Sequence, residues 1–525
     1  MQFRFIKFIF TFYMLFLFNN SFGQKEHNIW YFGDKAGIDF NTSPPTPLTD
    51  GKNSSCEISA TISDSEGNLI FYAGADSLQA DYLTVRDKNH NIMQNGDSII
   101  GNHSVTQGLL ILPYDNFGEK YYLFSIGTTR SGSMRIIQAL FYSIIDIIKN
   151  GGLGEVTQKN TLLYGDFATQ DTMVSEKMTA VKHANGRDYW LITRLTGMPY
   201  DPYSYTPTWY GDCDTYIKYL VTPFGIKGPF YQRIGSMDSY GISYGQMKFN
   251  EQGDKLVHCT WYTNLYVTGY PYYGKLDLFD FDRCTGLLSN YKYIGDDPTW
   301  DSGNQFYGCS FSPLGKILYV SHQNRGGRNF LYQYDLESSN IVATRNLIWQ
   351  TLSTTIYLGQ HKLATDNQIY ISTFSGSNLV NTNYDSINMN LSIINNPDIL
   401  GLGCNFSPFS FYLNGRRAYL GLPNTPTDNL GKIEGSPCDT IVNETSFNLF
   451  PNPSNGTFSF TYYFDANSPE MFIYNSLGQF VTKYKFEESG FGNGSITLDV
   501  SSGIYYYRII SEGNVLFRSK FIVVK

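Results

Sequence analysis

From about residue 28 onward the chain alternates short apolar runs with turns rich in Gly and Asn. One pattern recurs: a turn residue, one or two polar residues, then a β-rich apolar run. It reads Gly67-Asn-Leu-Ile-Phe-Tyr72, Gly118-Glu-Lys-Tyr-Tyr-Leu-Phe124, Gly186-Arg-Asp-Tyr-Trp-Leu-Ile192 and Gly253-Asp-Lys-Leu-Val-His-Cys259. It returns as Gly315-Lys-Ile-Leu-Tyr-Val-Ser321, Asn367-Gln-Ile-Tyr-Ile-Ser372 and Gly415-Arg-Arg-Ala-Tyr-Leu420, seven copies in all. Runs this short, bounded by turn residues and rich in β-branched and aromatic side chains, predict strands. Another strand precedes most copies, as in Gly245-Gln-Met-Lys-Phe249, Gly308-Cys-Ser-Phe311 and Gly403-Cys-Asn-Phe406. An alternating strand with acidic residues follows, as in Lys275-Leu-Asp-Leu-Phe-Asp-Phe-Asp282. Each unit therefore predicts three or four antiparallel strands, and such units must bury their faces against one another. Repeated radially, they are the blades of a propeller.

The expectation is an all-β chain with a seven-bladed β-propeller over residues 24–430. The lone N-terminal hairpin, Ile29-Trp-Tyr-Phe-Gly33 with Ala36-Gly-Ile-Asp-Phe40, is expected to share a blade with the seventh copy and so close the ring without leaving a sheet edge. Residues 134–149 are long enough for a helix. Their β-branched and aromatic content predicts a strand that turns at Asn150.

Past a polar linker at 431–444 the pattern changes. Short strands are expected at 457–464, 471–474, 479–486, 495–500, 504–510 and 516–524, a spacing that suits a small Ig-like β-sandwich over 445–525. The motifs here are Phe450-Pro451-Asn452-Pro453 with Gly456, then Ile473-Tyr-Asn-Ser-Leu-Gly478, then Leu498-Asp-Val-Ser-Ser-Gly503-Ile-Tyr505, and the terminal Lys520-Phe-Ile-Val-Val-Lys525. In that order they resemble the C-terminal sorting domain of the type IX secretion system of Bacteroidota. The resemblance implies the type IX machinery as partner and passage across both membranes. It also implies removal of this domain, with release or attachment to surface lipopolysaccharide. The propeller half, through Asn28-Ile-Trp-Tyr-Phe-Gly33, Ala60-Thr-Ile-Ser-Asp-Ser-Glu-Gly-Asn-Leu69 and Gly401-Leu-Gly-Cys-Asn-Phe406, is similar to the start of large Bacteroidota surface proteins.

The N-terminus fits this route. Arg4 and Lys7 precede an apolar stretch over residues 8–18, and Ser21 and Gly23 set up a cut between Gly23 and Gln24. This predicts a signal peptide at 1–23, too short to span a bilayer comfortably, and no transmembrane segment in the mature chain. The location expected is extracellular or at the outer cell surface. Seven cysteines leave two readings open, one or two disulfides in an oxidising compartment or buried thiols.

Composition narrows the function. Charged residues are 16% and aromatics 16% of the chain, which excludes a disordered chain or a coiled coil. With 38 Lys and Arg against 46 Asp and Glu, and no basic run past the N-terminus, no nucleic-acid partner is expected. The seven histidines are scattered without metal-ligand spacing, and no nucleophile elbow or P-loop occurs. No metal, cofactor or catalytic residue is expected. Asp64-Ser-Glu-Gly-Asn68 has some likeness to a calcium loop but lacks its further carboxylates and reads as a β-turn. Asp277, Asp280 and Asp282 could suggest paired-acid glycosidase chemistry but read better as strand and turn residues. Gln246 with Lys248, and Gln360 with Lys362, sit two apart on the first strand of their units and so share a face. They could line an axial ligand site or hydrogen-bond neighbouring blades. The Tyr-rich stretch 198–212 offers Tyr203, Tyr205 and Trp209 as contacts, because such rings stack on sugars and anchor interfaces. The leading expectation is a secreted binding or adhesion propeller for a glycan, surface polymer or protein. The alternative is an extracellular glycan hydrolase or lyase.

Overall fold

The structure, a computed structural model, describes residues 25–525 except 115–117, 132–134, 166–172, 197–213, 237–243, 262–273, 296–304, 324–327, 352, 376–386, 439–445, 465–467, 487–489 and 512. Among the described residues, the strands between Ile29 and Tyr412 form six four-stranded antiparallel sheets and one three-stranded sheet. Each four-stranded sheet is a meander of consecutive strands, the form of a propeller blade. Blades one to six open with Ser59–Ser63, Leu109–Pro113, Met173–Lys182, Met247–Phe249, Gln305–Phe311 and Ile356–Leu363.

Six copies of the repeat take one position, the second strand of their blade. These strands are Leu69–Ala75, Lys120–Ser131, Tyr189–Thr196, Lys255–Cys259, Ile317–Gln323 and Ile369–Ser375. They are buried on both sides, which is why they read as near-continuous apolar runs. Arg135–Asp146 is a strand followed by a tight turn at Lys149–Gly152, where Asn150 and Gly151 take left-handed backbone angles, as its pattern predicts.

The seventh copy differs. The strand expected to lead into it, Phe406–Tyr412, is instead the outer strand of blade six. Its alternation of half-buried and exposed positions suits an edge, and a turn at Gly401–Cys404 delivers it there. The copy itself runs extended beside the N-terminal sheet, with the Asp34 N–H donating to the Arg417 carbonyl at 2.9 Å. That sheet comprises Ile29–Phe32, Ala36–Asp39 and Thr46–Leu48. The last blade is thus built from both ends of the propeller. Trp30, Phe32 and Ile38 share one core with Tyr370, Leu391, Ala418 and Leu422. Burying each such aromatic is worth about 1.5–3 kcal/mol, enough to hold the two ends together. The approach is close. A side chain at Gly33 would run into the Arg417 carbonyl, and one at Gly421 into the backbone of Glu57 in blade one.

Beyond residue 445 two sheets face one another. One holds Ser446–Phe450, Thr457–Phe464 and Gly490–Thr497; the other holds Phe480–Lys485, Glu470–Tyr474, Gly503–Ser511 and Asn514–Val523. Phe447, Phe458, Phe460, Ile473, Tyr507 and Phe521 fill the space between them. The strand expected at 495–500 lies earlier, at Gly490–Thr497. The glycines ahead of it pair along the whole of Thr457–Phe464, where the Phe460 ring leaves no room for a side chain at Gly494.

Both cysteine readings find a place. Cys284 and Cys438 are disulfide-bonded, while Cys56, Cys259, Cys309 and Cys404 are buried thiols. Cys213 lies outside the described residues.

Candidate functional site

The first strands of the blades surround the propeller axis, and alternate blades carry a glutamine at the same level. The Gln107 N–H donates to Glu176 O in blade three, Gln246 N–H to Tyr307 O in blade five, and Gln360 N–H to Leu420 O in blade seven. Each backbone thus bonds to the next blade. Each side chain reaches one blade further. Gln107 Oε1 accepts from Met247 N at 2.6 Å, and its Nε2 donates to Met247 O at 3.1 Å. Gln246 Oε1 accepts from Cys309 N at 3.0 Å and His361 N at 2.8 Å. Gln360 Nε2 donates to Thr106 O, and its Oε1 accepts from Leu422 N at 2.9 Å. Blades two, four and six are therefore tied in a triangle. Asn424, on the chain leaving blade seven, completes the belt by donating to Leu109 O and Met178 O at 3.0 Å each. A buried N–H or C=O left unmade costs about 1–3 kcal/mol, so these amides are held rigidly. Gln246 and Gln360 are each 1% exposed.

Two residues past the belt, on the same faces, Lys248 and Lys362 come together. They line a pit with Thr179, Glu251, Ser310, Thr425 and Thr427, walled by Phe249, Phe311 and Leu363. The Lys362 ammonium donates to Thr425 Oγ1 and sits 5.0 Å over the Trp30 ring. Burial, and then the ammonium of Lys248, push the Lys362 pKa well below its usual value. Burial lowers Lys248 as well. Glu251 is exposed to solvent at the pit, and its carboxyl lies close enough to feel the pull of both lysines. Thr425 and Thr427 belong to the segment that crosses the propeller after closure, anchored where Thr427 N–H donates to Ala180 O at 2.8 Å.

On the other side of the belt lie two buried carboxyls, a feature the sequence reading missed. Glu57 accepts from Tyr307 Oη and, at 2.8 Å, from Ser104 Oγ. Glu176 accepts from Gln138 Nε2 at 3.2 Å. Both are 5% exposed, and burial raises both carboxyls, Glu176 further because of the charge of Glu57. Neither stands in a local motif. Only the ring brings blades one and three together, so a lone acid among apolar strand residues was the one available signal.

The remaining candidates are scattered. Asp277 accepts from Ser236 Oγ at 2.6 Å, Asp280 pairs with Lys255 at 2.8 Å, and the two do not converge on a cleft with Asp282. Asp64 Oδ1 accepts from the N–H groups of Glu66 and Asn68, which is a turn. No group of three metal-ligating side chains occurs among the described residues. Tyr203, Tyr205, Trp209, Gly23 and Gln24 lie outside the described residues.

The sorting motifs meet at one end of the C-terminal sandwich. Pro451, Asn452 and Pro453 run beside the last strand, where Asn452 Oδ1 accepts from Ile522 N at 2.9 Å. Gly456, at φ 109°, accepts from Leu498 N, and a side chain there would meet the Leu498 carbonyl. Gly478 closes the Asn475 turn, and Gly503 opens the strand that pairs with the chain end, Gly503 opposite Val523. Residues 448–525 match the family described as secretion system C-terminal sorting domain. This match supports handling by the type IX secretion machinery and implies export to the cell surface or medium. Among the described residues, no helix is long and apolar enough to cross a membrane.

No curated protein shows significant similarity to the chain. Among solved structures, one similar chain is a putative 6-phosphogluconolactonase from Bacteroides fragilis, at 11% identity and TM-score 0.42, over 75% of this chain and 96% of that one. Another is a periplasmic gluconolactonase from Pseudomonas aeruginosa, at 12% identity and TM-score 0.29, over 77% of this chain and 96% of that one. A third is the hydrazine synthase of Kuenenia stuttgartiensis, at 14% identity and TM-score 0.34, over 68% and 97%.

Proposed function

We propose that the protein leaves the cell through the type IX machinery and acts outside it as a non-catalytic binding or adhesion propeller. Its ligand is a glycan, a surface polymer or another protein. Residues 1–23 are the signal peptide, cut between Gly23 and Gln24; residues 24–430 form the propeller, 431–444 the linker and 445–525 the sorting domain. The observation that carries the binding reading is the pit. Lys248 and Lys362 come from blades four and six, are backed by immobilised glutamines and are flanked by hydroxyl groups. A small hollow ringed by fixed donors suits recognition, since its geometry exists before the ligand arrives. Tyr203, Tyr205 and Trp209 are the proposed second contact, through ring stacking.

The test is a panel of glycans and surface polymers offered to the purified chain, with binding and product formation recorded together. Saturable binding without turnover, lost in Lys248→Met, upholds the reading. Turnover overturns it. The alternative of a glycan hydrolase or lyase draws on Glu57, pushed up to about 7 by burial, and Glu176, raised by burial and by the charge of Glu57, because a carboxyl raised toward neutral pH can serve as a general acid. Turnover abolished by Glu57→Gln or Glu176→Gln would establish it. Export has its own test. Deleting residues 448–525 in the native host is expected to leave the propeller in the periplasm, and undiminished secretion would remove the type IX route.

A further inference from the structure

The pit has room for a group, not for a sugar ring. It offers about 40 Å³ to the centres of water-sized molecules. By that measure one water needs about 10–15 Å³, so the space holds roughly three waters, or one small oxyanion. Its lining is short of negative charge. Among the described residues, the Lys248 ammonium makes no hydrogen bond or ion pair, and no carboxylate lies within 4.0 Å of either ammonium. Glu251 is the one carboxylate in the lining. Asp428, beyond it, is already engaged by His27 at 3.1 Å. Two ammonium groups facing one hollow, Lys362 buried and Lys248 half-buried, repel each other, and an anion between them turns that repulsion into attraction. The hydroxyls of Thr179 and Thr427 supply further donors of the kind an oxyanion accepts from.

We propose that the pit is a receptor for a single oxyanion group, the carboxylate of an acidic sugar or the sulfate or phosphate of an esterified one, held between Lys248 and Lys362. The proposal rests on the pit being the ligand site and gives that site its chemical class. The bulk of the ligand stays outside, and only its charged group enters. Both lysines become firmly protonated once the anion is bound, because its charge offsets their burial and their mutual repulsion.

The test is calorimetric titration of the full chain with sodium sulfate, sodium phosphate, sodium glucuronate and glucose, at ionic strength held constant with sodium chloride. At least one anion is expected to bind saturably, with glucose silent. Lys248→Met is expected to weaken that anion at least tenfold while melting as the parent does in chloride alone. Sulfate and phosphate binding without glucuronate identifies an esterified ligand; glucuronate alone identifies a carboxylated one. If no anion binds above chloride in the parent chain, the proposal falls, whatever the variants do. It also falls if Lys248→Met binds as the parent does. The two readings separate cleanly. Polymer binding lost in Lys248→Met but not competed by any of the anions keeps the pit and discards the oxyanion. Anion binding with Lys248-independent polymer adhesion upholds the oxyanion site and moves adhesion elsewhere.

Discussion

His361 shows how much one side chain's setting decides. It follows Gln360 in the first strand of blade six, fully buried, and neither ring nitrogen has a hydrogen-bond partner. Burial, then the nearby Lys248 ammonium, pushes its pKa down to about 3. In the unfolded chain it titrates near 6.5. Between about pH 6.5 and 3, therefore, the unfolded chain binds a proton that the folded chain refuses. Stability contributed by this residue is present above that window and is lost as pH falls through it, at about 1.4 kcal/mol per unit. His361→Leu removes both the titration and two unpartnered nitrogens. The stability gap between variant and parent, from urea unfolding, is expected to move in the variant's favour by about 2 kcal/mol between pH 7.5 and pH 5. A gap that does not move with pH would mean that the imidazole is solvated in the folded state.

At the scale of elements, the blades hold together through amides that belong to neither partner's ladder. The Gln246 side chain serves blades five and six at once, accepting from Cys309 N and His361 N. Gln246→Ala leaves both N–H groups buried and unpaired, at about 1–3 kcal/mol each. A loss of about 2–5 kcal/mol is expected in equilibrium unfolding. Gln158→Ala, whose amide bonds at the exposed surface, should change stability by less than about 0.5 kcal/mol. Equal small losses in both would show that water replaces the belt amide in the variant.

The whole molecule depends on how its ring is shut. The seventh blade is completed by residues 417–422, and the chain then crosses toward blades three and four, where Thr427 N–H donates to Ala180 O and Arg283 Nη2, in the last turn of blade four, donates to Gly431 O at 2.7 Å. The disulfide from Cys284 to Cys438 clips this crossing segment and encloses a loop with a sequence separation of 154. A cross-link of that span restricts the unfolded chain and is worth about 2–4 kcal/mol. Cys284→Ser is expected to lower stability by that amount under oxidising conditions, and reductant should bring the parent to the variant's level. If neither changes stability, the crossing segment is held by its hydrogen bonds alone.

What the sequence determined by itself is what neighbouring residues decide among themselves. Six repeat copies lie in second strands because turn residues and apolar runs act over a few positions. The sorting tail was legible because its motifs, from Phe450-Pro-Asn-Pro453 to the terminal Lys520–Lys525, resemble in order those of a known family. The pairing of Gln246 with Lys248 and of Gln360 with Lys362 on common faces follows from the period of a strand. Only the tertiary structure decided the rest. It sent the Phe406–Tyr412 strand to an outer edge and let the seventh copy close the ring. It brought Lys248, Lys362 and Thr425 to one hollow, and Glu57 toward Glu176. The physical reason is distance along the chain. These meetings depend on the curvature that accumulates over successive sheets and on where the returning segment docks, and no local pattern encodes either.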